Sequence, residues 1–273
     1  MTPDSAVADH YSRPRIVETI LAAFARAGKD PAHLTAADLT AVDQFHVGGA
    51  LATEELAARM DLRPGMHLLD IGCGLGGPAR FFAAERGCRV TGIDLTPEFV
   101  DAAAHLTRLV GIAAVEFRQA SAAGLPFDTG TFDAAYLIHV GMNVPDKPAV
   151  FREVRRVLKP GAAFAIFDIM HTAEGPIRYP VPWASTEATS FVETPAAYRT
   201  ALESAGFRVT AERSRRDFAI EQTERSIARM QQAGNTGPGM MLLMGEKTPI
   251  LVANILGMMR EGLLEPVEML AAV

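Results

Sequence analysis

The stretch Leu68-Leu69-Asp70-Ile71-Gly72-Cys73-Gly74-Leu75-Gly76-Gly77-Pro78 decides how this 273-residue chain is read. An apolar run that ends in an acid and passes at once into glycines suits a buried parallel strand whose backbone turns sharply beneath a ligand. Four glycines in six residues make that turn a floor for the ligand rather than an ordinary connection.

The glycine spacing alone fits two kinds of ligand. Gly72, Gly74 and Gly77 satisfy G-x-G-x-x-G, the dinucleotide pattern of a NAD-type dehydrogenase, whereas Gly72, Gly74 and Gly76 satisfy G-x-G-x-G. Charge separates the two. A dinucleotide brings an anionic pyrophosphate to the helix N-terminus that follows such a turn, while S-adenosylmethionine (AdoMet) brings an ammonium and a sulfonium and carries no phosphate. Asp70, two residues before the first glycine, suits the cation.

Working outward from this turn, strand and helix signals alternate from Arg63-Pro64-Gly65 onward, which implies parallel strands joined by right-handed crossovers. Strands are expected at His67–Ile71, Arg89–Asp94, 114–119, Phe132–Ile138 and 162–168, a sixth near 207–213 and a last near 267–272. Thr96-Pro97-Glu98, Asp146 before Lys147 and Thr194-Pro195 are helix starts. Asp94 ends the second strand 24 residues after Asp70, where a carboxylate accepts from both ribose hydroxyls of an adenosine-type ligand; the alternative is a helix cap, a task Thr96 already fills.

Upstream, 1–62 reads as helical and as a lid or a flank. Ser12 with Pro14 opens a helix that carries Ile16, Ile20 and Phe24 and stops at Gly28. Asp43-Gln44-Phe45-His46-Val47-Gly48-Gly49 interrupts the helices with a contact surface. The core is expected over 63–273, with inserts at about 171–193 and 218–262. The first insert is proline-rich and holds Tyr179 and Trp183. The second holds helices over 219–233 and 247–262 around a loop at 234–239.

Composition narrows the function. The chain is 49% apolar with a net charge of -6, and no basic block of the kind nucleic-acid binders carry stands out. Two cysteines, Cys73 and Cys88, form neither a disulfide framework nor a metal spacing, so no metal is expected. The longest apolar run, 250–259, is about half of the ~20 residues a membrane span requires. No secretory pattern opens the chain, and a cytoplasmic protein acting on a small molecule is expected.

Leu69-Asp70-Ile71-Gly72-Cys73-Gly74, Asp94, Leu125-Pro126-Phe127 before Phe132-Asp133, and Val157-Leu158-Lys159-Pro160-Gly161 resemble, in order, the motif set of class I AdoMet-dependent methyltransferases. The resemblance spans about 43–207. It implies an α/β, doubly wound, Rossmann-like seven-stranded sheet with the last strand antiparallel. Within that superfamily, Asp43-Gln44-Phe45-His46 with Gly48-Gly49, Gly74-Leu75-Gly76-Gly77-Pro78-Ala79-Arg80, and Gly141-Met142-Asn143 before Asp146-Lys147 are similar to the sarcosine/dimethylglycine and phosphoethanolamine N-methyltransferases. That likeness implies AdoMet as cofactor and S-adenosylhomocysteine as product. Gln44 would reach the cofactor from the lid, residues from Asp70 through Gly72 and Cys73 to Gly74 would line its methionine part, Asp94 and Leu95 would hold the ribose, and Ser121 with Ala122 would meet the adenine edge. The chain departs from the pattern at Ala120-Ser121, where the family has an Asp, at Gly161-Ala162 in place of a glycine doublet, and at His139 and Asn143, which stand where the phosphoethanolamine enzymes have Asp and His.

Methyl transfer is an in-line displacement, so the protein's task is to align the acceptor lone pair and exclude water. A base is needed only for a protonated nucleophile, and histidine is the usual one. His139, at the end of the fourth strand, reads as that base or as a hydrogen bond to the cofactor or backbone. His46 reads as an acceptor-facing residue or as a bridge between lid and sheet. His171 and Arg178 suit an acceptor carboxylate or plain surface charge. Asn143, Tyr179 and Trp183 suit an acceptor contact, the two aromatics forming a cage for a quaternary ammonium or ordinary packing. Met240, Met241, Met244, Met258 and Met259 suit an adaptable apolar pocket wall, a core or a homodimer contact. The expected function is methylation of a small molecule, first an amine. O- or C-methylation of an apolar metabolite stands close behind, with a non-catalytic AdoMet or S-adenosylhomocysteine sensor as a further alternative.

Overall fold

The computed structural model describes residues 3–232 and 238–273. Five helices precede or flank the first strand: α1 (Pro3–Tyr11), α2 (Ile16–Arg26), α3 (Ala36–Asp43), α4 (Gly49–Ala57) and, just after the glycine turn, α5 (Gly77–Arg86). The sheet runs β1 (His67–Ile71), β2 (Arg89–Asp94), β3 (Val115–Gln119), β4 (Phe132–Ile138), β5 (Leu158–His171), β6 (Arg208–Ser214) and β7 (Leu264–Ala272). The remaining helices are α6 (Pro97–Leu109), α7 (Lys147–Val157), α8 (Pro195–Ser204), α9 (Arg216–Gln232), α10 (Met241–Met244) and α11 (Thr248–Glu261).

The spatial order is β3-β2-β1-β4-β5-β7-β6, with β7 antiparallel to both its neighbours and the other pairings parallel. The central strands are buried on both faces, which is why HLLDI and FDAAYLI read as nearly continuous apolar runs. One face packs Phe151, Val154, Tyr198 and Leu202 of α7 and α8; the other packs Leu56, Ala79 and Phe82 of α4 and α5. This is the expected architecture. β5 is longer than its apolar core suggested, because pairing with β7 continues to His171 opposite Leu264.

The N-terminal segment divides its work. α2 packs on α6, and α3 and α4 on α5, so these helices flank the sheet. Asp43, at the end of α3, forms a buried ion pair with Arg80 at 2.7 Å; the same guanidinium also donates to the Leu75 carbonyl and to Thr107 Oγ1. α1 lies elsewhere, over the carboxyl edge of the strands, where its Asp4, Val7 and Tyr11 line a cavity. Ser12 does not cap the next helix: α2 begins at Ile16 behind a left-handed Arg15, and Ser12 Oγ donates to Glu98 instead.

Among the described residues, one apolar helical stretch, Met241–Glu261, is long enough by composition to cross a membrane. It is broken at Gly245–Lys247, and its α11 part packs against β7 and α9, with Met258 and Met259 fully buried. The expected loop at 234–239 falls, for 234–237, outside the described residues.

Candidate functional site

A cavity of about 1270 Å³ opens at the carboxyl edge of β1, β2 and β4. Its floor is the glycine turn. Gly72 holds φ +74° and a Cβ there would collide with Val140, so only glycine fits. Gly74 donates its backbone N–H to Asp94 Oδ2 at 2.9 Å, while Asp94 Oδ1 accepts from the Thr96 N–H at 2.9 Å. Asp94 thus fastens the turn and starts α6, a capping task the Thr96 side chain leaves undone. The Asp94 carboxylate itself lines the cavity. Leu95, Ser121, Ala122 and Gln44 also line it, as does Cys73, a free thiol whose pKa burial pushes up.

Asp70 behaves differently from the expectation. Strand alternation puts it on the face of Leu68, beneath the turn, where it is 2% exposed and does not line the cavity. Burial, opposed by the Tyr136 hydroxyl and aided by the nearby Asp94 charge, raises its pKa to about 8.

His46 and His139 both reach the cavity, with ring centroids 5.9 Å apart. His46 Nε2 lies 2.9 Å from the Gly49 carbonyl and 3.1 Å from Thr53 Oγ1, and that hydroxyl donates onward to Gln44 Oε1. Because a carbonyl only accepts, Nε2 carries the proton and Nδ1 the lone pair. Burial lowers the His46 pKa to about 4. His139 sits at φ +54°, a conformation a non-glycine residue adopts at a cost, and its Nε2 is buried without a hydrogen-bond partner. Burial and then His46 push its pKa well down.

The remaining expected acceptor contacts separate. Asn143 lines the cavity, but its amide is committed: Nδ2 donates to the carbonyls of Trp183 and Thr189, and Oδ1 accepts from the Tyr11 hydroxyl at 2.9 Å. Trp183 lines the wall, 1% exposed, with its indole N–H on Ser190 Oγ. Tyr179 packs into the apolar cluster under the insert and does not line the cavity, so no two-ring cage forms there. His171 Nε2 hydrogen-bonds the Gly175 carbonyl, and Arg178 forms a forked pair with Glu261 at 2.6 and 3.0 Å; neither lines the cavity. The methionines divide: Met240 and Met244 line the cavity, Met258 and Met259 are core.

The sequence reading passed over α1. Asp4, Val7 and Tyr11 stand at i, i+3 and i+7, the spacing of one helical face, and that face is the cavity's cover. The far wall comes from Ile227 of α9 and from Val252 and Ile255 of α11.

The residues at the turn fit a cationic nucleoside better than a pyrophosphate. Arg80, the guanidinium nearest the turn, is consumed by Asp43, and Lys29, which lines the outer cavity, is paired with Asp38 at 2.9 Å. Sheet order sets the glycine turn, Asp94 and Ser121 in line along β1, β2 and β3, the order of methionine, ribose and base in AdoMet.

Comparison with known proteins agrees with this geometry. Residues 69–166 match the family described as "Methyltransferase domain". Phosphoethanolamine N-methyltransferase 1 of Arabidopsis thaliana is 30% identical over 193 residues, 68% of this chain and 37% of that protein. Cycloartenol-C-24-methyltransferase 1 of Oryza sativa subsp. japonica is 37% identical over 114 residues, 41% of this chain and 33% of the relative. The chain spans between a third and a half of the length of the first curated relatives it matches. In fold, the geranyl diphosphate C-methyltransferase from Streptomyces coelicolor A3(2) superposes with a TM-score of 0.72 at 18% identity, over 100% of this chain and 98% of that one. Residues 69–166 therefore match a methyltransferase domain, set in a fold that this C-methyltransferase shares.

Proposed function

We propose that this domain methylates a bulky, neutral, largely apolar small molecule at carbon or oxygen, using AdoMet. The observation that carries the reading is the size and chemistry of the cavity. At about 1270 Å³ it exceeds the roughly 300–1,000 Å³ of a pocket for one small ligand, so it has room for cofactor and acceptor together. Away from the glycine turn it is lined by Met142, Trp183, Ile227 and Ile255, which pack in one apolar cluster.

The acids of the lining already have partners. Asp4 accepts from Ser121, Asp38 pairs with Lys29, Asp43 with Arg80, Asp94 holds Gly74 and Thr96, and Asp146 caps α7 through the Ala149 N–H. Asp38 and Asp43 are neutralised by Lys29 and Arg80, and Asp4 and Asp94 stand at the base and ribose positions of the cofactor, so the amine expected from the resemblance has less support. A phosphorylated acceptor would likewise find no cluster of basic side chains among the described lining residues.

When bound, the cofactor supplies an electrophilic methyl group on an excellent leaving group. The chain's own residues then have three tasks. The glycine turn and Asp94 fix the nucleoside. α1 and the apolar walls keep out water, which sharpens every remaining polar contact. His46 and His139, which both line the cavity, are the chain's candidates to take a proton from an acceptor.

The test is transfer from methyl-labelled AdoMet to a panel of sterols, phenols, enolic metabolites, alkylamines and phosphoethanolamine. Label is expected in the first three classes, with carbon or oxygen attachment read by mass spectrometry. Faster transfer to phosphoethanolamine or simple amines would overturn the acceptor assignment; cofactor binding without transfer to any class would favour the sensor.

A further inference from the structure

Ser121 stands after β3, at the base end of the cavity, and its neighbours Ala120, Ala122 and Ala123 offer methyl groups and no side-chain acceptor. A purine with an exocyclic amino group needs an acceptor at that edge, because a buried donor left unpaired forfeits the water it had. The nearest acid comes from a different part of the chain. Asp4, in the first turn of α1, approaches across 117 residues of sequence, and its Oδ2 accepts the Ser121 hydroxyl at 3.0 Å. Ser121 Oγ in turn accepts the Ala123 N–H at 3.3 Å, so the hydroxyl points its proton at Asp4.

α1 is held in place along its length. Tyr11 donates to Asn143 and its ring lies 6.1 Å from that of Phe99; just beyond, Arg13 Nε donates to the Leu243 carbonyl and Ser12 to Glu98. With the far end fastened over the ribose side of the cavity, the near end delivers Asp4 to the base. A carboxylate that accepts one hydroxyl bond retains lone pairs for further donors.

We infer that Asp4 is a cofactor-specificity residue: its carboxylate takes the 6-amino group of the cofactor's adenine, and α1 thereby reads the base while covering it. The inference rests on the cofactor assignment above and deepens it. Ser121 positions Asp4 and is not the acceptor itself.

The experiment is a binding cycle by calorimetry. S-adenosylhomocysteine and its purine analogue lacking the 6-amino group are titrated into the wild type, Asp4→Ala and Ser121→Ala. A hydrogen bond to a charged group is worth about tenfold or more in affinity, so the wild type should prefer the amino compound by about that factor. Asp4→Ala should lose the preference while still binding the analogue, and Ser121→Ala, which removes only the hydroxyl that positions Asp4, should reduce it without abolishing it. An Asp4→Ala protein that retains the wild-type preference overturns the role of Asp4. A wild type that binds neither compound overturns the cofactor assignment, and the inference with it. Unchanged thermal melting of Asp4→Ala, read alongside, excludes loss of fold as the source of a lost preference.

Discussion

The two ends of the cavity are built by different rules. The cofactor end is made from strand termini, with Gly72, Gly74 and Asp94 locked by backbone bonds to a sheet whose register fixes them. The acceptor end is made from α9, α11 and the 171–193 insert, helices and loops that meet largely through apolar side chains. The first surface has little freedom to vary; the second can change shape with a few substitutions. The difference teaches that one scaffold holds its nucleoside constant while its acceptor is left to the packing of helices.

Breaking the cofactor end should give the largest effect. Asp94→Ala removes the ribose acceptor and the anchor of Gly74 at once, and calorimetry should show AdoMet affinity falling by about a hundredfold or more, in line with two lost charge-assisted bonds. His139→Ala tests the boundary between the two ends. The turnover number should fall by about a hundredfold, the scale of general-base catalysis, with S-adenosylhomocysteine affinity nearly unchanged. Because burial holds both histidines low, with His46 at about 4, they stay neutral and proton-accepting through the acidic range. The rate should therefore be flat from about pH 5.5 to 7.5 rather than falling through the usual histidine value of about 6.5.

At the acceptor end, Val252→Trp fills the far wall. Turnover of the largest acceptors should drop by about tenfold while smaller ones and cofactor affinity are spared; an equal loss across acceptors would break the division between the ends. The smallest effect concerns Asp70. With its pKa raised to about 8, it is mostly protonated at neutral pH. A cation bound over the turn favours the ionised form, so AdoMet affinity should rise severalfold from pH 6.5 to 8.5. Asp70→Asn should abolish that slope.

The cofactor end was legible in the sequence because strand, turn and acid are contiguous: Leu68 to Pro78 and Asp94 declare themselves by local rules. Asp70 was the exception. Its charge suggested direct contact, while the period-two alternation that turns it toward Leu68 places it below the floor. The acceptor end was hardly legible. Asn143 reads as an acceptor contact because it stands where the phosphoethanolamine enzymes have a His, and its partners prove to be Trp183, Thr189 and Tyr11, 40, 46 and 132 residues away. α1 was hidden for a related reason: Asp4, Val7 and Tyr11 make a short, weakly apolar face whose meaning depends on what it covers.

That Asn143 amide has a kinetic consequence. Through one side chain it joins the helix that covers the nucleoside to the insert that walls the acceptor. Moving the insert strips the amide of the carbonyls that orient it and loosens its hold on Tyr11, so opening at the acceptor wall should slacken the nucleoside's cover, and the pace of that gate would set the ceiling on how often the catalyst fires.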